Sequence, residues 1–187
     1  MKLSGSYQIN LEKQKVWEGL NDPEILKEAV PGCEKFEKKS ETEFTATATN
    51  KIGPFNASFT GDIELKEINP PNSYKIIGSG NSPVGFASGE ATVKLEDCEG
   101  GTKLIYDVEA NVGGKIAQVG SRLIDMTAKK MADIFFGKFS EIISSQSSTK
   151  PKTLENYETP SKKKSLKKII IFVTLIFGLI ATVYLTS

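Results

Sequence analysis

The stretch from Gly113 to about Ser145 limits what this chain can fold into more than any other. Its apolar residues Ile116, Val119, Leu123, Met126, Met131, Ile134, Phe135, Phe139 and Ile142 recur mostly at intervals of three and four. That period predicts one amphipathic helix with a single apolar stripe. Gly113-Gly114 allows a sharp turn into it, and no proline follows until Pro151. Some thirty helical residues span roughly 45 Å, enough to cross a whole domain, and the stripe needs a surface to cover it.

The residues before it supply that surface. Lys2–Asn10 alternates Leu3, Gly5, Tyr7 and Ile9 with polar neighbours, the pattern of a half-buried strand. The period then changes, and Val16, Trp17 and Leu20 make one short helical face. Asn21-Asp22-Pro23 ends that helix and starts another over Glu24–Val30. Asp22 is placed to cap its free amides, and Pro23 suits a first turn that needs no amide donor. The lone Trp17 reads as the core anchor of this helix pair. From Cys33 to Asn111, turn signals at Ser40-Glu41, Gly53-Pro54, Asn69–Asn72, Asn81–Pro83 and Glu99–Gly101 separate consecutive strands, with no helical period between them. An antiparallel meander is expected.

Strand parity assigns the face toward the helix. Phe44, Ala46 and Ala48 share one side of their strand. Phe55, Ala57, Phe59, Gly61, Ile63 and Leu65 form the next inward set, followed by Gly89, Ala91, Val93 and Leu95, then Leu104, Tyr106, Val108 and Ala110. Many of these are alanine or glycine, whereas a filled core mixes in larger side chains to reach native density. Two readings stay open: the helix sits close to the sheet, or sheet and helix enclose an apolar cavity of the kind small-molecule sites use.

Composition excludes several chemistries. The chain has no histidine, so it has no Ser-His-Asp or Cys-His nucleophile system and no imidazole proton shuttle. Cys33 and Cys98 have no metal-site spacing and read as free thiols, and no metal site is expected. The Gly113-Gly114-Lys115 run lacks the order of a phosphate loop, and Ile116 follows the lysine. Asp62, Glu90 and Asp107 are turned outward by parity, and Asp125 belongs to the polar side of the helix. An enzymatic reading, a cyclase or hydrolase acting on an apolar substrate, would need a carboxylate inside the cavity, so no catalytic residue is assigned.

The charge is uneven along the chain. Residues 1–144 carry 17 Lys/Arg against 21 Asp/Glu, whereas residues 145–187 carry 7 lysines against 2 glutamates. Residues 1–145 form the folded domain and residues 146–168 a polar, lysine-rich flexible linker. Residues 169–185, IIIFVTLIFGLIATVYL, carry no charge and span roughly 26 Å as a helix, which predicts a single transmembrane segment. Lys162, Lys163, Lys164, Lys167 and Lys168 flank it on the N-terminal side only, which predicts a cell-membrane protein with its domain in the cytoplasm. The linker has an r.m.s. span of roughly 25–30 Å, so the domain could reach both bilayer and partner.

Strand, two short helices, curved antiparallel sheet and long C-terminal helix make an α+β helix-grip arrangement. Three runs then carry a specific resemblance: NDPEILKEAVPGCEKFE (Asn21–Glu37), IGPFNASFTGDIELKEINPPNSY (Ile52–Tyr74) and GGTKLIYDVEANVGGKIAQVGSRLI (Gly100–Ile124). Together with Phe135-Phe136 they resemble the CoxG family of carbon monoxide dehydrogenase, within the START/Bet v 1-like superfamily. The resemblance implies an accessory protein that binds a lipid or an isoprenoid quinone and recruits or serves a molybdenum hydroxylase of the carbon monoxide dehydrogenase type. It implies no metal or covalent cofactor and no nucleic-acid partner. A membrane tether that carries no ligand is the alternative. Carried onto this chain, the pocket would be lined by Phe59, Ile63, Ala91, Tyr106, Val119 and Leu123, with Tyr106 as the polar contact to a ligand carbonyl. Its entrance would lie at the Asn81–Phe86 loop and the Gly113-Gly114 bend.

Overall fold

The computed structural model describes residues 1–148. The linker and the transmembrane segment expected over 146–168 and 169–185 therefore lie almost wholly outside the described residues. Among the described residues, no helix is long and apolar enough to cross a membrane.

The first strand, β1 (Lys2–Ile9), leads into α1 (Lys13–Gly19) and α2 (Pro23–Ala29). Six further strands follow: β2 (Cys33–Lys38), β3 (Glu43–Ile52), β4 (Phe55–Asn69), β5 (Ser73–Ser82), β6 (Gly85–Cys98) and β7 (Gly101–Gly113). A 3₁₀ helix (Lys115–Val119) and α3 (Ser121–Ser148) complete the domain. All seven strands form one antiparallel sheet in the order β1-β7-β6-β5-β4-β3-β2. The meander is as expected, and β1 pairs with the last strand.

Local chemistry sets the joints. The Asp22 carboxylate accepts from the Glu24 amide at 2.9 Å, and Pro23 opens α2. Trp17 is buried edge-on against Tyr74, with ring centroids 5.3 Å apart. Cys33 and Cys98 are separate free thiols, and burial pushes the Cys33 thiol up. The expected loop at Asn81–Phe86 is instead strand up to a two-residue turn: Asn81 pairs with Phe86 and Ser82 with Gly85. The Ser82 hydroxyl accepts from the Val84 amide at 3.1 Å and holds that turn.

The long helix departs from expectation in two ways. It does not run continuously from Gly113, because Gly120 takes φ +88°, outside the helical range, and separates the 3₁₀ segment from α3. Its stripe is also rotated. Ile124, Ala132, Phe135, Phe136, Phe139, Ile142 and Ile143 are buried, whereas Met126 and Ile134 are 61% and 48% exposed. The glycine break separates residues 116–119 from the stripe of α3, and within α3 Met126, nine residues before Phe135, is about half a turn out of phase with it and faces away from the core.

Two apolar clusters result. The larger joins β1, α1, α2, the sheet and the later turns of α3, and includes Phe44, Ile63, Tyr74, Ala91, Tyr106, Phe135 and Phe139. The smaller comprises Ile52, Ala57, Phe59 and Ile116. Val112, half-buried, packs against both.

Candidate functional site

The concave face of the sheet carries a band of small residues. Register places Ala46 beside Gly61, Gly61 beside Gly80 and Gly80 beside Ala87. One step along, Gly78 pairs with Gly89, and Gly89 with Ala110. Each of these lies on the inward side of its strand, with larger residues such as Phe59 and Ile63 at either edge of the band. Gly89 has a local reason to be glycine, since a Cβ there would meet the Glu109 carbonyl oxygen at 2.1 Å. For the rest of the band, the missing side chains remove bulk from the middle of the concave face.

The six residues assigned to a pocket fall into three places. Ile63, Ala91 and Tyr106 belong to the larger cluster and Phe59 to the smaller. Val119 and Leu123, half-buried, cover the Gly53 turn between β3 and β4, within 3.4 Å of where a Cβ would stand on Gly53. Phe59 and Ile63 are brought to the two edges of the small-residue band, and Ala91 is two positions from Gly89 on β6.

Tyr106 is held differently from a free polar arm. Its hydroxyl lies against Gly5, where a Cβ would stand 2.5 Å away, so a glycine in β1 makes room for the phenol. Its ring stacks with Phe136 (centroids 5.5 Å) and Tyr7 (6.4 Å). Burial, and then the nearby Asp133 charge, push its ionisation up. Parity placed Tyr7 inward but did not reveal that it bonds to Asp133 on α3.

A second phenol has the chemistry of a ligand contact. Tyr74 is 2% exposed, burial pushes its ionisation well up, and its hydroxyl has no hydrogen-bond partner. A buried donor left unpaired is costly. The sequence reading assigned no inward face to the strand that carries Tyr74, and the lack of a partner shows only in the folded core.

The two elements named for the entrance do meet. An open cleft of ≈ 730 Å³ is lined by Ser58 and Thr60 of β4, the turn from Asn81 to Phe86, and Gly114-Lys115; Ser58, Thr60 and Phe86 are exposed and opposite in parity to the buried Phe59 and Ala87, so the cleft opens on the outer side of these strands. It forms because β4 outruns β5: Thr60 pairs with Asn81, and toward Phe55 only β3 continues alongside. The 3₁₀ helix bridges the gap, with the Ile116 amide donating to the Val84 carbonyl at 2.8 Å.

The carboxylates considered for catalysis, Asp62, Glu90, Asp107 and Asp125, are all exposed. Burial works to raise the Asp62 carboxyl, but hydrogen bonds from Lys39 (2.7 Å) and Thr45 (2.6 Å) hold it below the usual range. Among the described residues, no group of three or more His, Cys, Asp or Glu could hold a metal.

The family model for CoxG of carbon monoxide dehydrogenase matches residues 5–144. No curated protein matches the sequence. Among solved structures, a conserved protein from Geobacillus kaustophilus is 30% identical with a TM-score of 0.75, over 78% of this chain and 97% of its own. The Zhui aromatase/cyclase from Streptomyces sp. R1128 is 13% identical, with a TM-score of 0.57 over 80% of this chain and 96% of its own. Ara h 8.0201 is 15% identical, with a TM-score of 0.56 over 78% of this chain and 98% of its own. The last two share the fold alone, a Bet v 1/START-like helix grip.

Proposed function

The chain belongs to the CoxG family of carbon monoxide dehydrogenase, and from that premise we propose that it is a membrane-associated accessory protein. It takes up a hydrophobic molecule from the bilayer, an isoprenoid quinone, and serves a molybdenum hydroxylase of the carbon monoxide dehydrogenase type. The observation that carries the ligand is the band of Gly61, Gly78, Gly80 and Gly89 across the inward face of the sheet, with Phe59 on one side and Ile63 on the other. Small residues across the middle of a concave sheet leave room for an apolar guest under α3. The buried, unpaired Tyr74 hydroxyl supports a guest with a carbonyl, because an acceptor there relieves the cost of the lone donor.

The domain works by binding rather than by catalysis in this reading. Its solvent-facing carboxylates are placed for surface ion pairs, as in Lys39–Asp62 and Lys75–Glu90, not for proton transfer inside a cavity. The apolar run 169–185, behind its lysines, anchors the chain with the domain in the cytoplasm.

The test is uptake. The full-length chain is purified from native membranes, and its bound lipid is extracted and weighed by mass spectrometry. An isoprenoid quinone near one per chain is the expected result. A lipid-free chain that still binds the dehydrogenase would replace the carrier with a tether.

A further inference from the structure

The end of the domain that carries the cleft differs in charge from the rest. It is built from three segments, residues 51–56, 82–86 and 113–130. They contain five cations, Lys51, Lys115, Arg122, Lys129 and Lys130, against one carboxylate, Asp125. Among the described residues none of the five is in an ion pair. The other described residues carry 12 Lys/Arg against 20 Asp/Glu. The domain is thus basic at one end and acidic over the remainder.

The same end exposes apolar side chains. Phe86, beside the β5–β6 turn, is 44% exposed, and Met126, in the second turn of α3, is 61% exposed. Two of the three large exposed apolar residues of the described domain therefore stand among its unpaired cations. Solvated lysines alone are ordinary surface. Exposed apolar side chains on the basic end of a domain fit a surface that is anionic outside and apolar beneath.

We propose that this end docks on the anionic surface of a lipid bilayer, with Phe86 and Met126 entering the headgroup layer and the cations meeting lipid phosphates. The proposal rests on the carrier reading for its purpose, since it brings this end of the grip to the source of an apolar ligand. The acidic remainder is repelled by the same surface, so the charge separation fixes orientation as well as attraction. A protein partner with an acidic face would match the cations, but two isolated apolar side chains are a poor core for a protein interface.

The test uses the full-length chain with vesicles of phosphatidylcholine alone and with added phosphatidylglycerol, read by amide hydrogen exchange. With phosphatidylglycerol, segments 82–86 and 113–130 should exchange roughly tenfold more slowly. The protection should weaken at high salt and in the Arg122→Glu/Lys129→Glu variant, whose exposed positions leave the fold intact. Equal exchange in both vesicles, or protection centred on α1 and α2, would overturn the proposal. Protection of these segments only when the dehydrogenase is added would assign the surface to a protein instead. Lipid extraction from the same samples separates the two readings. A protected but empty chain removes the carrier and keeps the docking, and a loaded but unprotected chain does the reverse.

Discussion

The Tyr7 hydroxyl donates a hydrogen bond to the Asp133 carboxylate, fastening β1 to the middle of α3 across 126 residues of sequence. The Tyr7 ring also stacks on Phe136, one helical turn further along, with centroids 4.1 Å apart. One aromatic residue thus holds the helix both by its ring and by its polar tip. Tyr7→Phe keeps the ring and removes the bond. It should cost about 1 kcal/mol in urea unfolding, less than a buried bond to a charged acceptor because the pair faces solvent. A double-mutant cycle with Asp133→Asn checks the assignment, since the two losses should not add.

Alkaline pH should loosen the domain. Tyr7, Tyr74 and Tyr106 are the tyrosines of residues 1–148, and all three phenols are pushed up, each chiefly by burial. The folded state then retains protons that the unfolded chain releases above about pH 10. Stability is complete below that pH and falls as pH rises beyond it. In a chain cut to residues 1–148, which leaves out Tyr157 and Tyr184, phenolate absorbance near 295 nm should therefore appear late and together with loss of structure. A gradual signal centred on pH 10 in a still-folded domain would contradict the burial of these rings.

Gly80→Val separates the two explanations of the small-residue band. If the concave face is open at Gly80, the valine fills space. Stability should then stay within about 1 kcal/mol of the parent, while lipid uptake drops at least about tenfold. If α3 is packed tightly on the band, the same change should destabilise by about 1–3 kcal/mol through overpacking. Thermal unfolding and lipid extraction read the two outcomes on one sample.

Tyr74→Phe removes a buried hydroxyl that has no partner. The ligand-free protein should be unchanged or about 1 kcal/mol more stable, since a cost of desolvation disappears. Retention of a carbonyl-bearing ligand should fall about five- to tenfold. Equal retention by both proteins would leave the hydroxyl without a part in binding.

Much of the architecture was readable because local and long-range signals agreed. The bounds of β4 and the start of α2 follow from Gly53-Pro54, Asn69-Pro70 and Asp22-Pro23, residues whose backbone chemistry leaves few choices. Strand parity placed Phe59, Ile63, Ala91 and Tyr106 on the inward face correctly. What it could not give was depth along that face, which separates Phe59 in one cluster from Ile63 in the other. The helix was harder. A glycine within an apolar period is compatible with a helix, and only the φ of Gly120 shows that the chain turns there. Within α3, Ile124 is in phase with Phe135 and Met126 is half a turn out of phase, so Ile124 faces the core. Tyr74 was invisible as a candidate because a missing partner is a property of the assembled core.

The pairing of β1 with β7 also bears on how the domain assembles. Lys2 lies opposite Glu109, and the terminal amine donates to the Ala110 carbonyl at 2.7 Å. The hairpins from β2 to β7 close short loops, whereas docking β1 closes one of more than a hundred residues, an entropic cost met only once. The meander can form first and the N-terminal strand last, in the slow range expected of folds dominated by distant contacts. Until it arrives, the open edge of β7 is a template for another chain's strand. The first nine residues thus cover β7 and become the sheet's edge in its place, so a chain shortened at that end would expose β7 and lose the buried Ile9 together.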